Sequence, residues 1–349
     1  MRCRIVALTV AAALFLPNSV RGQDLIFDSL RDYLESLRIQ AGIPGLSVAI
    51  VGTNDILWEH AFGYQDVAQA IPVRTDTPFH IDGLTQIVTT ALVLRCVEDG
   101  YLSLDDSLDQ FAPASPYANS TIRNVLTHTF AGIDGLHFHY QPERLEPVAS
   151  AIESCTGDSF QITLGTLFDQ LGMTDSVPGL DFSPFLEDSE DNLRADRYEY
   201  VSERLAVSYA VGRDRRPTPS LHPTTTLTPG GGLISSVRDL ARFDVELRNG
   251  VMVTSDSLAS AWQAPTGRDG EFLPHGLGWF VQTYAGEPVV WQFGVAENAS
   301  SSVIAIAPTH GLTLILLANS DDLVKPFAME TGDLMLSPFA RLFMELFLR

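Results

Sequence analysis

Phe27, Leu30, Tyr33, Leu34 and Leu37 recur at three- and four-residue spacing. That period predicts an amphipathic helix, stopped by Gly42 and Pro44. Two largely apolar runs, 46–51 and 56–62, flank Gly52-Thr53-Asn54-Asp55 and predict a hairpin. From 85 to 100 the pattern turns helical, and Gly100 supplies a C-terminal cap. Residues 121–129, 145–155 and 160–171 predict further short helices. The stretch 176–216 is rich in Asp, Glu and Arg with little periodicity, and is expected to be mostly loops. Pro229-Gly230-Gly231-Gly232 predicts a turn, and Ser235 or Ser236 caps a helix running to Leu247. Short apolar runs at 278–284, 288–293, 301–307 and 313–318, separated by tight turns, predict an antiparallel meander. A last apolar helix covers about 338–348.

This order implies an α+β fold. One antiparallel sheet is built from both ends of the chain, the terminal helices lie on one of its faces, and a mainly helical domain is inserted in the middle. The α/β part is expected at about 23–75 and 270–349 and the helical insertion at about 76–269, with a pocket between them. No internal repeat or low-complexity tract interrupts the pattern.

Residues 1–22 read as a leader. Arg2 and Arg4 precede an apolar run at 5–16, and Pro17-Asn18 and the small residues Val20 and Gly22 follow it. Export to the periplasm or the medium is the expectation. No later run reaches spanning length, so no transmembrane segment is expected after cleavage. The whole chain of 349 residues carries a formal charge of −21. Loss of Arg2, Arg4 and Arg21 leaves 43 acids against 19 bases, or −24. Such a field argues against nucleic-acid binding. Three cysteines do not make a disulfide framework. Cys96 and Cys155 sit in helical, core-like stretches and are expected as two buried thiols, although an exported chain permits a bridge. Of the 22 basic residues, 21 are arginine and one, Lys325, is lysine. Any chemistry that needs a lysine must use that one.

Several segments resemble the beta-lactamase-related serine hydrolases, which comprise class C beta-lactamases, D-Ala-D-Ala carboxypeptidases and similar esterases. Ile43-Pro44-Gly45-Leu46-Ser47-Val48-Ala49 is similar to the family's first strand. Phe79-His80-Ile81 leads into the nucleophile segment, and Val97 to Asp106 follows it. Thr121 to Thr129 resembles the Leu-Leu-Thr-His-Thr-Ser-Gly signature. Leu171 to Asp175, Gly230 to Phe243, Trp291 to Ser302 and Ala318-Asn319-Ser320 match in order and spacing. The resemblance covers nearly the whole chain after the leader and implies the beta-lactamase/transpeptidase-like fold and bacterial, penicillin-binding-protein-like relatives.

The chemistry that the resemblance implies is missing its side chains. The family's Ser-x-x-Lys places lysine beside the serine hydroxyl, one helical turn away. Here Gly83-Leu84-Thr85-Gln86 stands in its place. A shifted register does not rescue the motif, because Asp322 precedes the sole lysine by three residues. The family's Tyr-x-Asn matches Tyr140-Gln141-Pro142, and its Lys-Thr-Gly or His-x-Gly matches Gln292-Phe293-Gly294. Where catalytic groups act as a unit, loss of the nucleophile alone costs on the order of 10⁶ in rate. The resemblance leaves an oxyanion hole of backbone N–H groups at Gly83 and Val295. The expected ligand contacts are therefore Gly83, Gln86, Tyr140, Gln292, Gly294 and Val295. With an ordinary helix start at 83, a serine there is expected to cost little.

Other candidates carry less. His137 and His139 could face one side as metal ligands but lack a third partner, so no metal or cofactor is expected. His128 is expected to be a structural hydrogen-bonding residue. Asn119-Ser120-Thr121 and Asn298-Ala299-Ser300 fit a glycosylation pattern. Ser47, Ser235 and Ser236 are read as strand, turn or cap residues. Three functions are compatible with this sequence. One is a catalytically silent homologue that binds a peptide-, β-lactam- or ester-like ligand in the old cleft. The second is a hydrolase with another nucleophile or an activated water. The third is a structural protein with a closed pocket. A small-molecule or peptide partner fits the first; oligomeric state is not legible in the sequence.

Overall fold

The computed structural model describes residues 18–133, 135–182, 192–224 and 226–348. The expected leader lies outside these residues except for 18–22, whose backbone opens helix α1, Asn18–Ala41. Gly42, at φ +80, and Pro44 then turn the chain into the sheet. Strands β1 (Gly45–Val51), β2 (Ile56–Asp66) and β3 (Ile71–Pro72) come from the N-terminal end. Strands β4 (Phe79–His80), β5 (Thr129–Gly132), β6 (Gly135–Phe138), β7 (Tyr209–Val211), β8 (Pro217–Pro219) and β9 (Ile234–Ser235) form three small two-stranded pairs. The last four, β10 (Phe280–Tyr284), β11 (Glu287–Ala296), β12 (Ser300–Ala307) and β13 (Leu312–Ala318), complete a seven-stranded sheet in the order β10-β11-β12-β13-β1-β2-β3. Its pairings are antiparallel, and β13 lies beside β1, so both ends of the chain build it.

Period-2 alternation divides the sheet between two cores. Leu46, Val48 and Ile50 of β1 and Leu314 and Leu316 of β13 pack with Leu30 and Leu34 of α1 and with Phe339 and Phe343 of the final helix. Ala49, Val51, Ile315 and Leu317 face the opposite way, into the helical layer. That layer holds α2 (Thr85–Glu98), α3 (Ile122–Leu126), α4 (Val148–Thr156), α5 (Phe160–Leu171), α6 (Asn192–Arg204), α7 (Val237–Arg248) and α8 (Ser255–Ala261), and α9 (Pro338–Phe347) ends the chain. The α+β architecture, with terminal helices on one face and an inserted helical domain on the other, is the one the pattern implies.

Three expectations are corrected. Among the described residues of 176–216 the chain is not mostly loop, because α6 occupies Asn192–Arg204. Among its described side chains the buried ones are few, Tyr198 and Val201, and ion pairs fasten it: Arg194 and Arg197 reach Asp169, and Arg204 reaches Asp175 and Asp76. A helix fastened by distant ion pairs carries little apolar periodicity of its own. The helix expected over 121–129 ends at Leu126, where its Thr121/Asn124 capping box has already closed the start. His128, at φ +51, then turns the chain into β5. Finally, Cys96 and Cys155 are not thiols but a disulfide, with Cα atoms 6.1 Å apart. The bond ties α2 to α4 across 59 positions of sequence. Both cysteines sit on inward faces, and it is the docking of the two helices that brings them together.

Candidate functional site

The segment that matches the family's nucleophile turn is a 3-10 turn, Asp82–Leu84, running directly into α2. It is pressed against β11 and β12. Ser302 donates its hydroxyl to the Ile81 carbonyl at 2.7 Å. A Cβ on Gly294 would lie 2.2 Å from that same carbonyl, so only glycine allows the strand this close. Gly83 has the same problem from the other side. A Cβ there would sit 2.4 Å from the Phe293 carbonyl oxygen and 3.3 Å from the Tyr140 hydroxyl. The space in which a nucleophile would begin is filled by strand backbone. The expectation that serine fits easily at 83 is therefore overturned: the local turn would accept it, but the neighbouring strand does not.

Behind this turn lies a continuous chain of hydrogen bonds. The Gln141 N–H donates to His128 Nδ1 at 3.1 Å, so His128 carries its proton on Nε2. That proton goes to Gln86 Oε1 at 2.8 Å. Gln86 Nε2 donates to the Tyr140 hydroxyl at 2.9 Å, and Tyr140 donates to Gln292 Oε1 at 3.3 Å. The Phe293 N–H also donates to Gln292 Oε1, at 2.9 Å. Gln292 Nε2 donates to the Gly278 carbonyl at 3.0 Å and to His275 Nε2 at 3.2 Å. His275 Nδ1 closes the run on the Gly276 carbonyl at 2.7 Å. From His128 to Gly276 the bonds run in one direction.

The chain is neutral. Burial holds His275 down to about 3. Burial, reinforced by His275 and Arg144, keeps His128 well below the ordinary imidazole value. Enclosure raises the Tyr140 phenol above its ordinary value, outweighing the Gln86 hydrogen bond. Gln86 and Gln292 are fully buried, so neither presents a charge or a free proton to the cleft. A lysine in place of Gln86 would supply only donors, and would leave the His128 proton without an acceptor. The two glutamines act as a matched pair.

In front of the turn a cleft of about 340 Å³ remains open, lined among others by Gly83, Tyr140, Gly231, His222, Phe293 and Val295. The six residues expected at the site thus divide. Gly83, Tyr140 and Val295 line the cleft. Gln86 and Gln292 lie behind it, on either side of Tyr140, and Gly294 is packed on the turn. His128 has the hydrogen-bonding role expected of it.

Ser47 is buried in β1 without a hydrogen-bond partner. Ser235 meets Ser176 at 2.8 Å, and Ser236 caps α7 through the Asp239 N–H. His137 stacks on Phe130, and the His139 N–H donates to the His128 carbonyl. Among the described residues no group of three His, Cys, Asp or Glu side chains stands together as a metal site. Three polar residues at this site were not singled out from sequence: His275, Asp82 and His222. His275 stands outside any motif. Asp82 could have been flagged only as the neighbour of Gly83.

Residues 30–334 match the family model described as Beta-lactamase. The chain belongs to the beta-lactamase family. Its 24% identity to a penicillin-binding protein of Bacillus subtilis (strain 168) extends over 330 residues, 84% of this chain and 72% of that one. It is 23% identical to Protein flp of Staphylococcus aureus (strain MW2) over 82% of this chain, and covers 62% of that longer relative. The fold is similar to the octameric penicillin-binding protein homologue from Pyrococcus abyssi, with a TM-score of 0.71 and 20% identity over 85% of this chain and 74% of that one. It is also similar to the class C beta lactamase from Rhodobacter sphaeroides, with a TM-score of 0.66 and 17% identity over 91% and 98% of the two chains. Among the described residues, no helix of this beta-lactamase family member is long and apolar enough to cross a membrane.

Proposed function

We propose that this chain is an exported, catalytically silent member of its family that holds a peptide-, β-lactam- or ester-like ligand reversibly in the old active-site cleft. One observation carries the silence. The lysine and strand-cation positions are occupied by Gln86 and Gln292, whose amides are consumed by Tyr140, His128 and His275 in a neutral, closed network. No base faces the cleft there, and the position of the nucleophile lies against the Phe293 carbonyl. The open space of about 340 Å³ in front supports binding over a purely structural role. The ligand class follows from relatives named as penicillin-binding proteins. Export is supported by the leader-like residues 1–22 and by the Cys96–Cys155 bridge, which persists in oxidising compartments.

The test combines a fluorescent penicillin and a chromogenic short-chain ester with intact mass and thermal denaturation. The expected outcome is no mass increase together with a reversible rise in melting temperature. A ligand at a hundred times its Kd should add about 2.7 kcal/mol of stability. A stable adduct mapped to any cleft residue refutes silence. The absence of any thermal shift from a broad panel at millimolar concentration would favour the closed-pocket role, for which the close Gly83–Phe293 approach is the supporting observation.

A further inference from the structure

The cleft has a second polar cluster, separate from the glutamine chain, that no step above uses. Asp82 is not glycine, yet it holds φ +47, a conformation a non-glycine residue keeps only when its surroundings impose it. Its carboxylate is gripped from two sides. Ser300 of β12 donates to Oδ2 at 2.7 Å, and His222 Nε2 donates to Oδ1 at 2.9 Å. His222 belongs to residues 220–224, which leave β8 and cross the cleft, with Pro223 and Thr224 lining its mouth beside Gly83. Its neighbours Leu221, Pro223 and Thr224 are exposed, whereas the His222 side chain is 6% exposed and that of Asp82 10%. The strap is therefore anchored by that imidazole and, at its start, by Ser220, whose N–H donates to the Ser208 carbonyl at 2.9 Å and whose hydroxyl donates to the Asn298 carbonyl.

We propose that residues 220–224 form a proton-operated strap over the cleft, latched when a charged His222 bridges Asp82 and the Thr224 carbonyl, and loosened when the neutral ring gives up that carbonyl. This deepens the ligand-binding function proposed above and rests on it for its purpose, not for its geometry. The geometry supplies two states. Both ring nitrogens face acceptors: Nε2 faces Asp82, and Nδ1 faces the Thr224 carbonyl at 2.5 Å. Only the doubly protonated ring satisfies both. A neutral ring must give up one, and the alternative for Nδ1 is the Thr224 N–H, 3.3 Å away. That exchange leaves the Thr224 carbonyl without the ring's proton while Nε2 stays on Asp82.

The groups facing His222 favour the charged ring. Although burial opposes it, the Asp82 hydrogen bond and charge raise His222 above the ordinary imidazole value. His80 of β4 stacks flat on it with ring centroids 3.8 Å apart, and is itself held neutral, at about 4, chiefly by burial. The other charged groups lining the cleft are the carboxylates Glu143 and Glu297, the latter 3.4 Å from Lys325. The sign follows. A raised imidazole keeps the latch fully formed below pH 6.5 and loses it as pH rises through the folded value.

The experiment is hydrogen–deuterium exchange of the intact chain, read on peptides covering 219–228 and divided by the intrinsic exchange rate at each pH. Each unit by which closure raises the imidazole gives tenfold in opening. We expect normalised exchange to rise at least about threefold between pH 5.5 and 9 in the parent. We expect none of that rise in His222→Gln or in Asp82→Asn, whose asparagine also tolerates the left-handed backbone. Flat exchange in the parent, or the same rise in folded His222→Gln, overturns the latch. If His222→Gln does not fold, Asp82→Asn decides alone. The fluorescent penicillin keeps the two proposals apart. Absence of any thermal shift at every pH, with the exchange response intact, removes the ligand and leaves the latch standing.

Discussion

Gly83→Ala isolates the packing claim on which silence rests. The new Cβ would start 2.4 Å from the Phe293 carbonyl oxygen, whereas real Cβ atoms stay beyond 3.0 Å, so something must retreat by at least 0.6 Å. Phe293 lies in β11, which is bonded to β10 on one side and β12 on the other, and the turn itself is fastened by Ser302. Neither wall is the end of a flexible side chain. Overpacking of this kind costs about 1–3 kcal/mol. The opposing effect is that alanine restricts the unfolded chain, a gain of about 0.4–1 kcal/mol where the backbone is permissive, as it is at 83, whose φ is not positive. The clash should win, leaving a net loss of about 1–2 kcal/mol. The control is Gly165→Ala on α5, where a Cβ meets its nearest neighbour, Arg194, at an ordinary 3.7 Å. There helix propensity alone should add about 0.5–1 kcal/mol. Urea unfolding at constant m-value reads both variants. If Gly83→Ala is as stable as its parent while Gly165→Ala behaves as stated, β11 is not pressed on the turn and the closed nucleophile position is wrong.

Gln86→Lys should lose at least about 3 kcal/mol, because it buries an ammonium and strands the His128 Nε2 proton, whose ring cannot turn while Nδ1 accepts from Gln141. The triple variant Gly83→Ser, Gln86→Lys, Gln292→His should accordingly show a lowered melting temperature and no acylation by an activated ester; parent-like stability with acylation would refute both claims. Replacing Cys96 and Cys155 by alanine opens a loop of 59 positions and should cost about 4 kcal/mol by chain entropy, read as a matching drop in stability of the parent under dithiothreitol. His275, held at about 3 against an ordinary 6.5, contributes stability that is complete above 6.5 and lost as pH falls toward 3. His275→Asn should therefore flatten the stability–pH curve between 4 and 6 by about 1.4 kcal/mol per pH unit, and an unchanged slope would show that the ring is not buried neutral.

The sheet was legible because short, largely apolar runs bounded by turns, such as Leu46 to Val51 and Leu312 to Ala318, are a local property, decided by which side chains must leave water. The loss of the family's chemistry was equally legible, since a chain with one lysine at 325 has nowhere to place Ser-x-x-Lys. Helix α6 was not, because its anchors Asp169 and Asp175 precede it by many residues and leave no trace in its own periodicity. The Cys96–Cys155 bond likewise needed α2 docked on α4. The site shows the same division. Sequence supplied the identities of Gly83, Gln86, Tyr140 and Gln292, but a residue's identity does not say where its amide points. Only the fold, by bringing His128, Gln141 and His275 to the two glutamines, decided that these side chains satisfy one another. Only the packing of β11 on the 82–84 turn decided that the space for a nucleophile is gone. Hydrophobic periodicity follows from neighbours along the chain; hydrogen-bond direction and close approach follow from neighbours in space.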